Sequence, residues 1–469
     1  MFFLNRVSKM KNKKHTLDLT QGSIPHTLLA FFLPIAAGNL FQQLYNTADA
    51  LIIAKFVGSS ALAAVGGSPA QVINVVISFF TALAAGAGVT ISHAFGSGHG
   101  ERISRSSNTA VMLSILLGLL FMVLGWLLTP SILAIMKTPE DTVQGATVYL
   151  RIYFGGMVFN LLYNMASGIL RAVGDSRRPL YALIVCCLTN IALDILFVVA
   201  FGMGVAGVAL ATILSQLFSA VIVMYFLFST REAYRVTPRT LCMHLNSLKR
   251  ILEIGIPTAL QSSMYSVSNF IIQIALNTLG TVVVASWSMA GKIDGVYWAV
   301  SSALGTAIMS FVGQNYGAGK KDRILGCARL GMLISLAITV CLVALILFFG
   351  QYGVQLLIDD SAVVDCTWQM LSFFVPYYFL WTIIEVLTGV LRGMGDALIP
   401  VIITGIGICG FRILWIAFIF PAFHTVRGIT ACYPASWALT AAAMLIYYMI
   451  KRRRMLHTVS DDAVRMAAE

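Results

Sequence analysis

Hydrophobic positions in this chain come in long, unbroken runs separated by short polar loops. No Asp, Glu, Lys or Arg interrupts 62–94, 106–136, 152–170, 254–291, 330–358 or 428–450. Each run exceeds or approaches the roughly 20 apolar residues that carry a helix across a bilayer. Barrel strands would instead alternate apolar and polar residues over about 10 positions. The pattern therefore predicts an all-α integral membrane protein. Twelve spans are expected, with cores at 26–54, 64–93, 107–129, 147–170, 180–201, 204–229, 251–277, 282–313, 327–350, 368–391, 398–420 and 428–450.

Composition agrees with this pattern. Charged residues make up 11% of the 469 positions and hydrophobic residues 58%, with a mean hydropathy of +0.86. A soluble protein is about 25% charged. These values exclude a soluble enzyme, a disulfide scaffold and a disordered chain. The eight cysteines have no metal-ligand spacing with histidine and mostly lie in apolar runs, so they read as small buried hydrophobes.

The net charge of +12 would suggest nucleic acid on a soluble chain. Here its placement gives a different meaning. The N-terminal segment carries Arg6, Lys9, Lys11, Lys13 and Lys14. Every second connection after it is basic too, ending in Lys451, Arg452, Arg453, Arg454 and Arg465. These segments hold 24 basic residues, against only Lys137 and Arg427 in the alternate connections. The positive-inside rule then places both termini in the cytoplasm. The basic N-terminal segment lacks a small-residue cleavage site and reads as a cytoplasmic tail. No nucleic-acid partner is expected.

The chain repeats itself at a shift of 221. Gly168-Ile-Leu-Arg171-Ala-Val-Gly174-Asp175 matches Gly389-Val-Leu-Arg392-Gly-Met-Gly395-Asp396. Gly96-Ser-Gly98…Arg102 matches Gly317-Ala-Gly319…Arg323 at the same shift, and Leu33-Pro34 matches Ile256-Pro257 at 223. Two halves of six spans each follow. Six is even, so the halves enter from one side and relate by an axis along the membrane normal, as in alternating-access transporters. The expected organisation is an N-tail at 1–22, a first lobe at 23–230, a linker at 231–249, a second lobe at 250–451 and a C-tail at 452–469. In the repeated loops, glycine permits tight turns. The following arginine is expected to anchor at lipid headgroups. The Arg and Asp of the Leu-Arg-x-x-Gly-Asp motif are expected to pair with each other or with helix ends. Gly393-Met-Gly395-Asp396 resembles an intramembrane aspartyl protease signature, but the repeat explains it structurally and no Tyr-Asp dipeptide supplies a second catalytic acid.

Ionisable groups inside spans are costly, and each is a functional candidate. Four of the nineteen acids fall well within spans: Asp49, Asp194, Asp294 and Glu385. Asn190 and Asp194 stand four apart, on one helix face. An amide oxygen beside a carboxylate suits Na⁺ or a protonated acid. Pro34 precedes Asp49 in the same span, where it frees a carbonyl and permits a bend. In the second half, Asn190 and Asp194 are replaced by Phe411 and Trp415, so the repeat keeps the scaffold without the acid. Asp294 and Glu385 are open to three readings: ion pairing, with Lys292 and Arg412 near at hand, ion coupling, or attraction of a cationic substrate. The aromatics suit a cavity for flat cations through cation–π contacts, though most are expected to face lipid or the interface; Trp298, Trp381 and Tyr265 are the cavity candidates.

These stretches also carry a resemblance. Leu33-Pro-Ile-Ala…Leu44-Tyr-Asn-Thr-Ala-Asp49-Ala, Val312-Gly-Gln-Asn-Tyr-Gly-Ala-Gly319, both Leu-Arg-x-x-Gly-Asp motifs and Asn190-Ile-Ala-Leu-Asp194 with its following glycines are similar to the multidrug and toxic compound extrusion (MATE) family. The resemblance implies twelve helices in two lobes around a V-shaped cavity. It implies export of organic cations in exchange for H⁺ or Na⁺ from a bacterial-type inner membrane. It further implies a cation site at Asp49, Asn190, Asp194 and Thr212, and cavity positions at Gln42 and Tyr149. The span-seven glutamate of one subgroup is absent from Gln261–Tyr265, which speaks against a second-lobe sodium site of that kind. A lipid-linked glycan flippase of the same superfamily is the alternative, but it would favour basic residues in its cavity. No nucleophile–base or metal constellation points to an enzyme. The expected partners are small organic cations and the bilayer. The expected state is a monomer with no cofactor beyond the transported ion.

Overall fold

The computed structural model describes residues 16–356 and 358–468. The five basic N-terminal residues and the side chain of Arg465 lie outside the described residues and side chains. Among the described residues there is no strand. Ten helices are long and apolar enough to cross a membrane: Ile24–Phe56, Ala64–Gly96, Gly100–Ile135, Arg177–Ala200, Gly204–Ser229, Thr281–Gly317, Lys321–Gln355, Ser361–Gly393, Leu398–Ala422 and Val426–Arg454. Spans four and seven complete the twelve. Span seven is the single helix Leu245–Asn277. Its polar face, including Gln261, Ser262, Ser266 and Gln273, lowers its hydropathy. Span four departs from expectation: it is two helices, Glu140–Gly155 and Met157–Ala172. The Gly155-Gly156 pair breaks it, since glycine costs a helix about 1 kcal/mol relative to alanine.

The spans form two lobes, each with its own core. The first gathers Ile91, Leu150, Phe154, Met157 and Leu170 from spans two and four. The second gathers Leu304, Phe311, Tyr378, Leu391 and Trp437 from spans eight, ten and twelve. Span one is shared. Its first half buries Leu28, Phe31, Phe32 and Ile35 in the second core, while Ile53 lies in the first. Pro34 sits within this helix. It removes the N–H that would bond the Ala30 carbonyl. Ala30 lines a small cavity of about 130 Å³ with Thr16, Leu17, Phe31, Gly174, Ser176 and Arg177.

The lobes meet where backbones approach closely. A Cβ on Gly86 of span two would lie 2.6 Å from the Gly255 nitrogen of span seven. Small residues permit such contact in membrane interfaces. The basic loops cluster at one end of the bundle, here termed the basic end. Inter-lobe contacts run from that end to the level of Gln43 against Gly295 and Asn39, whose Nδ2 donates to the Ala299 carbonyl at 2.9 Å. The two lobes thus form a V that is closed at the basic end.

The repeated loops are only partly as expected. Gly98, Gly174, Gly319 and Gly395 all take positive φ, from 66° to 88°, which is where glycine is needed. The motif Arg and Asp follow separate paths. Asp175 caps the next helix, accepting from the Arg177 and Arg178 nitrogens at 3.1 Å each. Asp396 instead accepts from Tyr447 at 2.6 Å and pairs with Lys451 at 2.9 Å, and Arg392 reaches the Gln261 side chain. Gly168 and Gly389 provide close approach, to span two at Ala84 and to span eight at Gly305. Arg323 is not free to anchor at headgroups. Its guanidinium donates to the carbonyls of Leu19, Gln21 and Gly22 and to Asn315 Oδ1.

Candidate functional site

Spans one, five and six pack together in the first lobe, and their polar residues converge. Asn190 and Asp194 are fully buried on one face of span five. With its amide nitrogen turned toward the acids, the orientation that satisfies both, Asn190 Nδ2 lies 2.7 Å from Asp49 Oδ1 and 3.2 Å from Asp194 Oδ2. One amide thus bridges two carboxylates from two spans. Asp194 Oδ1 is buried with no hydrogen-bond partner. A buried acceptor left open in this way is where a small cation or proton gains most.

The sequence reading missed Tyr45. It stands one turn before Asp49 on the same span. Its spacing of four from Asp49 was the available signal. Tyr149 is buried beside this cluster, with its ring centroid 6.1 Å from that of Tyr153, and Gln216 Nε2 comes within 3.5 Å of the Tyr153 hydroxyl. Thr212 is buried on the neighbouring span six, but its hydroxyl donates to the Val208 carbonyl at 2.9 Å. Gln42 is exposed on span one, away from the acids' hydrogen bonds. Directly after Asp194 the helix widens into a π-helical turn, Ile195–Ala200. Such turns recur at functional sites.

The acids of the second lobe are set apart from this cluster. Asp294 does not pair with Lys292 or Arg412. Its Oδ2 accepts from Trp298 Nε1 at 3.0 Å and from the Tyr378 hydroxyl at 2.8 Å. Tyr297 stacks on Tyr378 with centroids 4.0 Å apart. Trp298 meets Trp381 edge-on at 5.0 Å, and Trp381 lies 6.1 Å from Tyr265. Arg412 lies 3.9 Å over the Tyr433 ring and donates to Ser436 Oγ at 3.1 Å. Glu385 fills the space that Gly305 leaves open on span eight. Near it, Gln261 links Arg392, Thr404 and the Tyr265 hydroxyl.

A closed V of two pseudo-equivalent six-span lobes, with a carboxylate pair inside one of them, defines a two-lobed membrane transporter. The MatE family profile matches residues 34–196 and 257–418, one stretch in each lobe. The chain belongs to the MatE family, the multidrug and toxic compound extrusion transporters. It is 30% identical over 444 residues to the probable multidrug resistance protein YpnP of Bacillus subtilis (strain 168), covering 95% of this chain and 99% of that one. It is 26% identical over 442 residues to the probable multidrug resistance protein YoeA of the same organism, covering 92% and 95%. The fold is shared with a solved structure described as the outward-facing conformation of a multidrug resistance MATE family transporter, with a TM-score of 0.87, 24% identity and coverage of 96% and 100%.

Proposed function

We propose that this protein exports small organic cations in exchange for H⁺ or Na⁺, with Asp49, Asn190 and Asp194 as the coupling site. The observation that carries this reading is the cluster of half-buried Asp49 with fully buried Asn190 and Asp194, joined by one amide. Two carboxylates sharing one amide repel when both are charged, and a single cation relieves that repulsion. Intramembrane acids of this kind typically mark ion pathways. The open Oδ1 of Asp194 offers a further ligand, and Thr212 and Tyr149 complete the surroundings. The relatives named as probable multidrug resistance proteins support drug export as the activity.

The basic end faces the cytoplasm in this reading, following the positive-inside rule. The V then opens outward. A cation from outside enters the first lobe and binds the carboxylate pair. Span one responds at Pro34, because its two halves belong to different cores. Organic cation is released outward, and the lobes re-close. Asp294, Glu385 and the Trp298–Trp381–Tyr265 wall supply negative charge and ring faces for flat cations.

Purified protein in proteoliposomes, loaded with a fluorescent organic cation, tests this. An imposed gradient of H⁺ or Na⁺ accelerates dye movement against the ion's direction. Dye movement indifferent to both gradients refutes the exchange.

A further inference from the structure

The shift of 221 that relates the two halves also relates their contacts across the seam. It carries His93 onto Gln314, Gly96 onto Gly317, Ala172 onto Gly393 and Gly174 onto Gly395. His93 Nε2 lies 2.7 Å from the Gly393 carbonyl. Gln314 Nε2 donates to the Ala172 carbonyl at 2.8 Å. These are one contact made twice, in opposite directions. A carbonyl only accepts, so the His93 Nε2 carries the proton. Gly393 and Ala172 each end a helix, those of spans ten and four. Their carbonyls are therefore among the groups a helix leaves unbonded, at its negative pole. Each lobe caps a helix of the other. Between the two contacts the backbones touch reciprocally: a Cβ on Gly96 would collide with the Gln314 carbonyl, and one on Gly317 with that of His93.

A strap lies over this seam. Residues 16–22 run without helix into span one. The Leu17 nitrogen donates to the Gly174 carbonyl of the first lobe at 3.0 Å. The Leu19 nitrogen donates to Gln314 Oε1 at 3.2 Å, and the Leu19 carbonyl accepts from Asn315 and Arg323 of the second. Lys320 Nζ donates to the Thr20 carbonyl at 2.9 Å. Gln314 thus holds the first lobe through its nitrogen and the strap through its oxygen. The strap continues directly into the helix that carries Pro34 and Asp49.

We propose that His93 and Gln314 are the two arms of the basic-end gate, and that the strap at 16–22 locks the Gln314 arm and ties it to span one. This rests on the alternating-access reading above. When the lobes part, the Gly393 carbonyl is taken up by water and the Ala172 carbonyl keeps its bond from Ser92 Oγ of its own lobe, so the latch is reversible. The symmetry makes one specific demand. Glutamine already performs this task at position 314, so His93→Gln keeps the gate shut, whereas His93→Leu and Gln314→Leu open it. Gly174→Ala opens it too without touching either arm, because its Cβ would expel the Leu17 carbonyl.

Accessibility of the seam is the test. Val89 is buried there with Ile254, Met309 and Ala397. Val89→Cys is placed in a chain whose eight native cysteines are replaced, and labelled by a membrane-impermeant thiol reagent in inside-out vesicles. Labelling of His93→Gln matches the parent. Labelling of His93→Leu, Gln314→Leu and Gly174→Ala rises by about fivefold or more, the factor that one lost hydrogen bond represents. The gate is overturned if His93→Gln labels as fast as His93→Leu, or if no variant differs from the parent. Dye efflux measured on the same vesicles separates the two readings. This labelling pattern without parental efflux upholds the gate and removes the transport reading. Parental efflux without the pattern removes the gate alone.

Discussion

Asp49→Asn and Asp194→Asn each lower gradient-driven dye efflux at least about tenfold, with protein abundance unchanged. Asparagine keeps the shape of aspartate and still hydrogen-bonds, so the lobe folds as before. What it loses is the negative charge that draws in a cation. Two unit charges about 4 Å apart attract by about 4 kcal/mol at an effective dielectric of about 20. Losing about a third of that is already a factor of about ten in rate. Asp49 lies on span one and Asp194 on span five, yet both contact one Asn190 amide. The two variants should therefore fail in the same way, and the double variant little worse than either, because groups in one network are not additive. Initial rates of dye efflux in matched proteoliposomes check this. Wild-type rates in both single variants would remove the coupling site.

Asn190→Leu is expected to harm both stability and transport. Leucine keeps the branched skeleton of asparagine, though it is bulkier, and helix propensity is not lost. The change removes the donor shared by two carboxylates, one of which is already short of a partner at Oδ1. Breaking a buried charge network from one side costs about 3–5 kcal/mol. Thermal unfolding in detergent should shift down by several degrees, and efflux should fall with it. An unchanged melting temperature would mean that the amide does not bridge the acids.

The membrane spans were legible because a bilayer tolerates few alternatives to long apolar helices. Breaks within them were less so. The Gly155-Gly156 interruption of span four has no hydropathy signature, and only the adjacent glycines hint at it. The π-helical turn after Asp194 is likewise silent, since an i→i+5 bond leaves no pattern in composition. It recurs in the second lobe at Trp415–Ile419, where the acid is absent. The turn therefore belongs to the repeated scaffold, and the acid is an addition to one copy.

The acids themselves stood out through scarcity: an Asp in an apolar run has few reasons to be there. Their partners did not. That Asp294 takes Tyr378 and Trp298 depends on spans eight and ten meeting, which no local pattern encodes. Arg323 shows the same limit more sharply. In sequence it is a loop arginine after Gly-x-Gly, and its partners at Leu19–Gly22 lie some 300 residues away. The repeat aligned His93 with Gln314, but their different chemistry concealed a shared task. Only the two equivalent carbonyls, at Gly393 and Ala172, reveal it.

Ion displacement by substrate tests the exchange most directly. Organic cation is added to purified protein in lightly buffered detergent, and released H⁺ is read with a pH indicator, or released Na⁺ by loss of bound ²²Na⁺. Wild-type protein is expected to release one of these ions on binding substrate, while Asp49→Asn and Asp194→Asn release neither. Saturable substrate binding with no release of either ion from the wild type, or equal release from the variants, would contradict coupling at Asp49, Asn190 and Asp194.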